Sequence, residues 1–238
     1  IDDEIEAIGA ELLAADVSSV AVCLLHSYAD PGHEQRIGDI LGRVCPDLFI
    51  SLSHDILREY REYERTSTTA LNAYVGLRVR GYLDRLEGFL NQRNFGGSIQ
   101  IMRSNGGTMS LGQARVQPVT MMESGPVAGM IAAGRIADIL GIVQCIGFDM
   151  GGTSTDVSLF DGKLERTSNC KIAGVHLTSP MLRIHTVAAG GGSILKFASA
   201  RLQVGPESAG ALPGPACYRH DGPLTITDAN ALLGRIQP

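Results

Sequence analysis

In the first fifty residues, segments with apolar residues at helical spacing alternate with short, continuously apolar runs. This pattern predicts helices that alternate with buried strands. Apolar residues recur at helical spacing in 3–15, and 33–44 has a helical pattern as well. The run at 18–25 is continuously apolar, which is typical of a strand buried on both faces, and 48–53 has the pattern of a second strand. Strand–helix–strand order predicts an α/β layer.

Further helices and strands are predicted along the rest of the chain. The segment 57–65 mixes charges of both signs, and we interpret it as the solvated start of a long helix. Another helix is predicted at 125–140, where small residues such as Gly125 and Gly129 allow a second backbone to approach closely. Further strands are predicted at 98–103, 143–148, 156–160, 163–174 and 182–188, and a Gly/Pro-rich loop after Phe197.

Glycine is the residue type in marked excess. The chain has 29 glycines in 238 residues, about 12% against a usual share of about 7%. They show no Gly-X-Y period, which excludes a collagen-like chain. They cluster instead, and clustered glycine indicates backbone that turns with positive φ or approaches another group closely. The clusters lie at 106–107, 151–152, 190–192 and within 205–214.

Charge and composition exclude several classes of partner. The net charge is −5, and no segment combines clustered Lys and Arg with aromatic residues, so we expect no nucleic-acid partner. No run of 18 apolar residues occurs, so we expect no membrane partner. The five cysteines have neither a disulfide framework nor zinc-binding spacing. With no secretion signal visible, a cytoplasmic location is the simplest expectation.

The sharpest motif is GFDMGGTSTDVSLF at 147–160. An apolar strand would carry Asp149 to its end, and a glycine turn would lead into a returning antiparallel strand. Such a turn lets phosphate oxygens approach backbone N–H groups, and the hydroxyls of Thr153, Ser154 and Thr155 can donate to the same oxygens. Asp149 would face the hydration shell of Mg²⁺ or orient an attacking water. The alternative is a plain β-hairpin in which the motif serves geometry alone.

Two neighbouring segments favour the phosphate interpretation. ESGPVAGMIAAGRIA precedes the motif and VAAGGGSI follows it. This order resembles the actin, sugar-kinase and heat-shock-chaperone superfamily, in which a connecting helix, a second phosphate hairpin and an adenosine motif follow one another. The resemblance implies an α/β fold of ribonuclease-H-like, actin-type ATPase lobes, with mixed sheets flanked by helices. Residues 1–141 would complete the first lobe, and 142–238 would begin the second, nucleotide-binding lobe.

A narrower resemblance extends over nearly the whole chain. It is carried by SVAVCLLHSYADPGHEQRIGDIL, SLSHDILREYREYERTSTTALNAYV, MRSNGG, ESGPVAG, DMGGTSTDVSL, HTVAAGGGSI, VGPESAGALPGPACY and TITDANALLGRI. Together these blocks resemble the hydantoinase A/oxoprolinase family. The resemblance implies ATP-dependent hydrolysis of a small cyclic amide, of the hydantoin or oxoproline type, through phosphorylation of its carbonyl oxygen. A B-type hydantoinase subunit or domain would be the partner.

Two other functions share these motifs. One is an acetone-carboxylase-type subunit, which would phosphorylate a ketone enolate and pass it to carboxylation. The other is a non-enzymatic, ATP-driven conformational switch of the same superfamily. Neither composition nor motif spacing separates them from the hydrolase.

The family resemblance also implies roles for individual residues. Asp149 would be the catalytic carboxylate and would hold Mg²⁺ through water. The phosphates of ATP would lie against Gly151, Gly152, Thr153, Ser154 and Thr155, and the nucleoside would pack against Gly190, Gly191 and Gly192. Asp156 would brace the hairpin rather than touch a ligand. No first phosphate hairpin is visible in 1–124, so we expect a fragment of a larger enzyme that is inactive alone.

Overall fold

Helices and short strands alternate in the first part of the chain, as the apolar pattern predicts, and a series of strands follows the helix Ser124–Leu140. The computed structural model describes residues 1–172 and 174–237. The helices are α1 (Asp2–Ala14), α2 (Gly32–Val44), α3 (Ser53–Ile56), α4 (Glu62–Asn91), α5 (Leu111–Val116), α6 (Ser124–Leu140) and α7 (Ile226–Leu232), with 3-10 turns at Pro118–Met121 and Ala216–Tyr218. The strands are β1 (Ser19–Val22), β2 (Phe49–Leu52), β3 (Gln100–Met102), β4 (Thr108–Ser110), β5 (Gln144–Met150), β6 (Thr155–Asp161), β7 (Arg166–Ile172), β8 (Val175–Leu182), β9 (His185–Val187), β10 (Ser193–Ala198) and β11 (Arg201–Ser208).

These elements form two compact units. Unit 1 comprises Ile1–Val127 with Arg166–Leu182, and unit 2 comprises Ala128–Glu165 with Arg183–Pro238. The predicted strand at 182–188 is wrong as a single element, because Leu182 ends β8 of unit 1 while β9 of unit 2 starts at His185. Of the predicted strand at 163–174, β7 covers 166–172, and residue 173 lies outside the described residues. The proposed division of a complete enzyme into lobes at 141/142 stays a prediction.

Unit 1 has an α/β layer built on a parallel strand pair. β1 pairs with β2 in parallel from Ser19 opposite Phe49 to Val22 opposite Leu52. α1 and α2 supply the apolar core on this pair, in a cluster of Ile5, Val22, Ile40 and Leu41. The antiparallel pairs β3–β4 and β7–β8 complete the strands of the unit. β1 is shorter than the predicted 18–25, because the chain beyond Val22 bonds to buried charged side chains instead of a strand.

The first of these charges is Glu34, which is fully buried on α2. Its Oε1 accepts from the Leu24 backbone N–H at 2.8 Å and from the Ser53 hydroxyl at 2.7 Å. Its Oε2 accepts from the His54 backbone N–H at 3.0 Å and lies 2.8 Å from His54 Nδ1. Burial raises the pKa of this carboxyl, but the four hydrogen bonds outweigh burial and hold the pKa at about 2. Glu34 therefore fixes the chain after β1 to the chain after β2.

The second buried charge is Arg65, on the first turn of α4. Its guanidinium donates to the Ser27 hydroxyl and, at 2.7 Å, to the Leu24 carbonyl, and it lies over the Tyr28 ring at 5.6 Å. The Ser27 and Ser53 hydroxyls are 3.1 Å apart, so two serines join Arg65 to Glu34. The predicted solvated face at 57–65 is thus wrong for Arg65. Its partners lie about forty positions earlier in the sequence, where a local charge pattern cannot show them.

Unit 2 contains an antiparallel sheet in the order β5–β6–β9 and a β10–β11 hairpin. The predicted loop after Phe197 is partly wrong, since residues 201–208 form β11 opposite β10. The small residues of α6 also act differently from the prediction. A Cβ at Gly125 or Gly129 would meet nothing within 4 Å, whereas one at Gly134 would lie 3.0 Å from the Phe160 ring of β6. Gly134 is therefore the point of close approach to the sheet.

The buried carboxylate of Glu34 predicts a pH-dependent contribution to stability. Since its folded pKa lies below the usual value of 4.5, the contribution is complete above about pH 4.5 and is lost as the pH falls toward 2. Replacing Glu34 by Gln removes two of the four acceptor interactions. We expect the free energy of unfolding in urea at pH 7 to fall by about 3 kcal/mol.

The matched control is Asp2→Asn, which breaks an exposed ion pair with Arg36. We expect no measurable loss in that variant. A difference between wild type and Glu34→Gln that stays constant from pH 7 to pH 2.5 would contradict the assignment of the carboxylate as the source of stability.

Candidate functional site

The predicted phosphate motif forms a tight hairpin turn between β5 and β6. Asp149 and Met150 are the last residues of β5, and Thr155 begins β6. The Gly151 N–H donates to the Ser154 carbonyl at 2.9 Å and closes the turn. Asp149 is exposed, and its position is directly opposite Asp156 in the strand register. The structure therefore places the predicted carboxylate beside the predicted turn.

The predicted triglycine segment docks directly on this turn. The Gly191 N–H donates to the Gly151 carbonyl at 2.9 Å, and the Gly192 N–H donates to the Gly152 carbonyl at 2.6 Å. All the predicted site residues thus come together within unit 2, although nearly forty residues separate the two motifs in sequence. We call this arrangement, residues 149–155 with 189–193, the glycine junction.

The two docking bonds determine where the turn's free donors point. In a trans peptide the C=O and the following N–H point in opposite directions. Because the Gly151 and Gly152 carbonyls point at the triglycine segment, the N–H groups of Gly152 and Thr153 point away from it. Within the described residues, the backbone N–H groups of Gly152, Thr153 and Ser154 donate no hydrogen bond. Successive free N–H groups in a turn are a common arrangement for binding an anion.

The glycines are required here for close approach and not for positive φ. A Cβ at Gly190 would lie 2.7 Å from the Gly151 carbonyl oxygen, and one at Gly192 would lie 2.8 Å from the Gly152 carbonyl oxygen. A Cβ at Gly151 would make only an ordinary contact at 3.7 Å, and one at Gly152 would meet nothing within 4 Å. Side chains are thus excluded at Gly190 and Gly192 by the protein's own backbone, while the turn has space on its outer side.

Every backbone polar group of the triglycine segment is hydrogen-bonded. Besides the two docking bonds, the Gly190 N–H donates to the Ser193 hydroxyl at 3.1 Å and the Gly190 carbonyl accepts from the Ser193 N–H at 3.0 Å. The Gly191 carbonyl accepts from Thr227 N–H at 2.7 Å, and the Gly192 carbonyl accepts from Ala209 N–H at 2.8 Å. The segment therefore joins the turn to β11 and α7, which gives the glycines a structural role beside the predicted packing against a nucleoside.

The three hydroxyls after the glycine pair differ in availability. Thr153 is exposed and Ser154 is half-buried. Thr155 is 4% exposed, and its hydroxyl donates to the Ala189 carbonyl at 2.5 Å. A threonine hydroxyl has one proton, so that of Thr155 is donated within the protein.

Asp156 has the bracing contact that its position predicts. Its Oδ1 accepts from the Thr186 hydroxyl of β9 at 2.6 Å. Asp149 and Asp156 lie on the same face of the hairpin at directly opposed positions. Two like charges placed so are destabilising unless a cation or a hydrogen-bond donor offsets them.

The Gly/Pro-rich loop that follows β11 is anchored by Asp228 on α7. The Asp228 carboxylate accepts from the backbone N–H groups of Ala216 at 3.2 Å, Cys217 at 2.7 Å and Thr225 at 2.7 Å, and from the Thr225 hydroxyl at 2.9 Å. Burial raises the pKa of Asp228, but hydrogen bonds from Cys217 and Thr225 outweigh burial and hold it at about 2. The hydrogen bond to Asp228 raises the pKa of the Cys217 thiol, which disfavours a nucleophilic thiolate.

Several residues that hold the junction or the loop after β11 have no role in the sequence-based prediction. Asp228 had a usable signal, because Thr225-Ile226-Thr227-Asp228 fits the capping-box pattern and the structure shows that box. Ala189 and Ser193 act through their backbone or a single hydroxyl, and nothing in their local sequence indicates those partners.

The described part of the chain has neither a protein-built metal cage nor a membrane span. Within residues 1–172 and 174–237, no group of three or more His, Cys, Asp or Glu side chains is arranged to hold a metal ion. Over the same residues, no helix combines the length and the apolar character needed to cross a membrane.

Comparison with known proteins agrees with the sequence blocks. The hydantoinase/oxoprolinase family model matches residues 65–238, and the model of the hydantoinase/oxoprolinase N-terminal region matches residues 1–45. The chain is 41% identical to 5-oxoprolinase of Saccharomyces cerevisiae over 229 residues, which is 95% of this chain and 18% of that protein.

Two solved structures have the same fold. One is a nucleotide-free structure of acetone carboxylase, with a TM-score of 0.81 and 28% identity over 100% of this chain. The other is the ATP-dependent caprolactamase of Pseudomonas jessenii, with a TM-score of 0.73 and 36% identity over 98% of this chain. This chain covers 34% of each of those chains. It therefore spans about a fifth of that 5-oxoprolinase and about a third of each of these two chains.

The predicted fold class and the predicted family resemblance are both confirmed by these matches. The family model covers more than half of the chain, and the structural likeness extends over nearly all of it. The chain belongs to the hydantoinase/oxoprolinase family and has the mixed α/β fold of its ATP-dependent relatives.

Proposed function

We propose that this chain supplies the ATP-binding turn of an enzyme that hydrolyses a small cyclic amide. The observation that carries the proposal is the glycine junction, where three free backbone N–H groups at 152–154 lie next to the exposed Asp149. Such donors are suited to phosphate oxygens, which need several hydrogen bonds in a concave site. The 5-oxoprolinase and caprolactamase relatives favour a cyclic amide as the substrate class.

The chemistry explains why an amide hydrolase would use ATP. A ring amide is a poor electrophile, and transfer of the γ-phosphoryl group to its carbonyl oxygen creates a good leaving group for attack by water. Phosphoryl transfer needs little covalent participation from the protein, which mainly positions the groups and stabilises charge. In this chain the N–H groups of Gly152, Thr153 and Ser154 would hold phosphate oxygens, and Asp149 would orient the reacting groups.

The residues at the turn fit Mg²⁺ bound together with the nucleotide. Mg²⁺ in phosphoryl-transfer sites is held by one or two carboxylates, phosphate oxygens and several waters rather than by a protein cage. The exposed Asp149 carboxylate, opposite Asp156 and next to the free donors, matches that requirement. When bound, the ion would neutralise phosphate charge, and Asp149 would hold it through water.

The acetone carboxylase structure favours a second candidate. Its TM-score of 0.81 over the whole chain fits an enzyme that phosphorylates a ketone enolate for carboxylation. The identity of 41% with an oxoprolinase and 36% with a caprolactamase leads us to place the hydrolase first. A non-enzymatic ATP-driven switch is the third possibility, and it predicts ATP turnover that ignores every small substrate.

The proposal includes a partner and a location. We propose a B-type hydantoinase subunit or domain as the partner that completes the reaction, in the cytoplasm. The chain spans about a fifth to a third of its relatives, so residues 1–238 alone are expected to bind ATP weakly and not to turn it over. The deciding experiment measures ATP turnover by the complete enzyme with oxoproline, a hydantoin, a lactam or acetone plus bicarbonate.

We expect Asp149→Asn in the complete enzyme to lower kcat for ATP turnover at least about 100-fold. The side chain is exposed and accepts no hydrogen bond within the described residues, and the substitution removes a charge opposite Asp156, so the melting temperature should not fall. Asp161→Asn, at the other end of β6, is the matched control and should keep full activity. Unchanged turnover in Asp149→Asn would remove Asp149 from the mechanism.

Alanine at Gly152 and at Gly190 should have opposite effects. Gly152→Ala meets open space in the protein, so the unliganded enzyme should keep its stability, while its affinity for MgATP falls because the methyl group occupies the phosphate approach. Gly190→Ala forces a methyl group against the Gly151 carbonyl and should lower stability by about 1–3 kcal/mol. Calorimetry and thermal unfolding measure the two effects, and normal MgATP affinity in Gly152→Ala would contradict the proposed site.

A further inference from the structure

We infer that Thr155 is a positioning residue that fixes the glycine turn through the Ala189–Gly190 peptide, and not a ligand of the phosphates. This inference rests on the proposed function for its meaning in catalysis. Its structural content is independent of that function, because the contacts lie entirely within unit 2.

The Ala189–Gly190 peptide is held at both ends by hydroxyl groups. Its carbonyl accepts from the Thr155 hydroxyl at 2.5 Å, and its N–H donates to the Ser193 hydroxyl at 3.1 Å. Thr155 and Ser193 are 4% and 3% exposed, so water cannot readily replace either hydroxyl. A buried peptide held in this way has a fixed orientation.

This peptide is the entry to the triglycine segment. Gly190 has no side chain that could hold it in place, and the next two N–H groups are those that dock on the turn. A rotation of the Ala189–Gly190 peptide would shift the Gly191 and Gly192 N–H groups relative to the Gly151 and Gly152 carbonyls. The Gly151 carbonyl shares a peptide plane with the Gly152 N–H, and the Gly152 carbonyl shares one with the Thr153 N–H. A shift of either carbonyl would therefore also change the direction of the free N–H group in its peptide.

Thr155 also lies at the end of the turn that it would control. It is the first residue of β6, opposite Met150 of β5 and Val187 of β9 in the strand registers. Its hydroxyl therefore links the strand that leaves the turn to the carbonyl that precedes the triglycine segment. With its one proton donated to Ala189, the hydroxyl has no second proton to donate to a phosphate oxygen.

The test compares Thr155→Val with Thr155→Ser in the complete enzyme. Valine keeps the shape of threonine and removes the hydroxyl, while serine keeps the hydroxyl. Hydrogen exchange is measured without nucleotide, and the affinity for MgADP is measured by calorimetry. In Thr155→Val we expect faster amide exchange in 150–155 and 189–193 and about tenfold weaker MgADP binding, with Thr155→Ser restoring most of both.

Thr69→Val is the matched control. Thr69 is fully buried, and its hydroxyl donates to the Arg65 carbonyl at 2.7 Å, so the same substitution removes the same kind of bond in unit 1. It should lower stability without changing exchange in 150–155 or the affinity for MgADP. If Thr155→Val does not fold, Ser193→Ala releases the other end of the same peptide and should give the same pattern of exchange.

The outcomes separate this inference from the proposed function. Weaker MgADP binding in Thr155→Val with unchanged exchange in 150–155 would overturn the inference and identify Thr155 as a direct ligand. Unchanged exchange and unchanged affinity would overturn it as well. If the wild-type enzyme binds no nucleotide, the proposed function fails, while faster exchange in 150–155 of Thr155→Val alone still supports the positioning role.

Discussion

Two backbone hydrogen bonds, from Gly191 and Gly192 to the carbonyls of Gly151 and Gly152, are the contacts on which the candidate site depends. They are possible only because the triglycine segment has no side chains, since a Cβ at Gly190 or Gly192 would lie within 2.8 Å of the turn's backbone. Each bond fixes a peptide plane and so directs the next N–H outward. The direction of the turn's free N–H groups is thus a consequence of how its inner side is held.

The second constraint is the buried pair of charges in unit 1. Glu34 and Arg65 do not touch, and the hydroxyls of Ser53 and Ser27 lie between them. Burying two charges costs desolvation energy, which the four contacts of the Glu34 carboxylate and the two hydrogen bonds of the Arg65 guanidinium offset, although Arg65 Nε has no partner among the described residues. The network fastens the segments that follow β1 and β2 to α4, at the carboxyl ends of the parallel strands. Unit 1 is thus held by this polar network as well as by the apolar cluster that contains Ile40 and Leu41.

Sequence reasoning predicted those parts of the molecule whose causes are local. The hairpin at Asp149, the helix at α6 and the strand–helix–strand order follow from short apolar runs and a glycine turn, and the structure has all three. The burial of Arg65 and the docking of Gly191 on Gly151 depend on partners about forty residues away. A run of charged residues or of glycines has the same local sequence with or without a distant partner. Local patterns therefore cannot reveal these contacts.

The two glycine clusters of the junction differ in what excludes a side chain. At Gly190 and Gly192 the excluding atoms belong to the protein itself, so these glycines are explained by the fold. At Gly152 the protein leaves open space, and its φ is not in the positive range that favours glycine. The fold therefore gives no reason for glycine at position 152. A ligand that approaches the backbone from outside would give one, and the phosphate group that we propose for the free N–H groups of 152–154 is such a ligand.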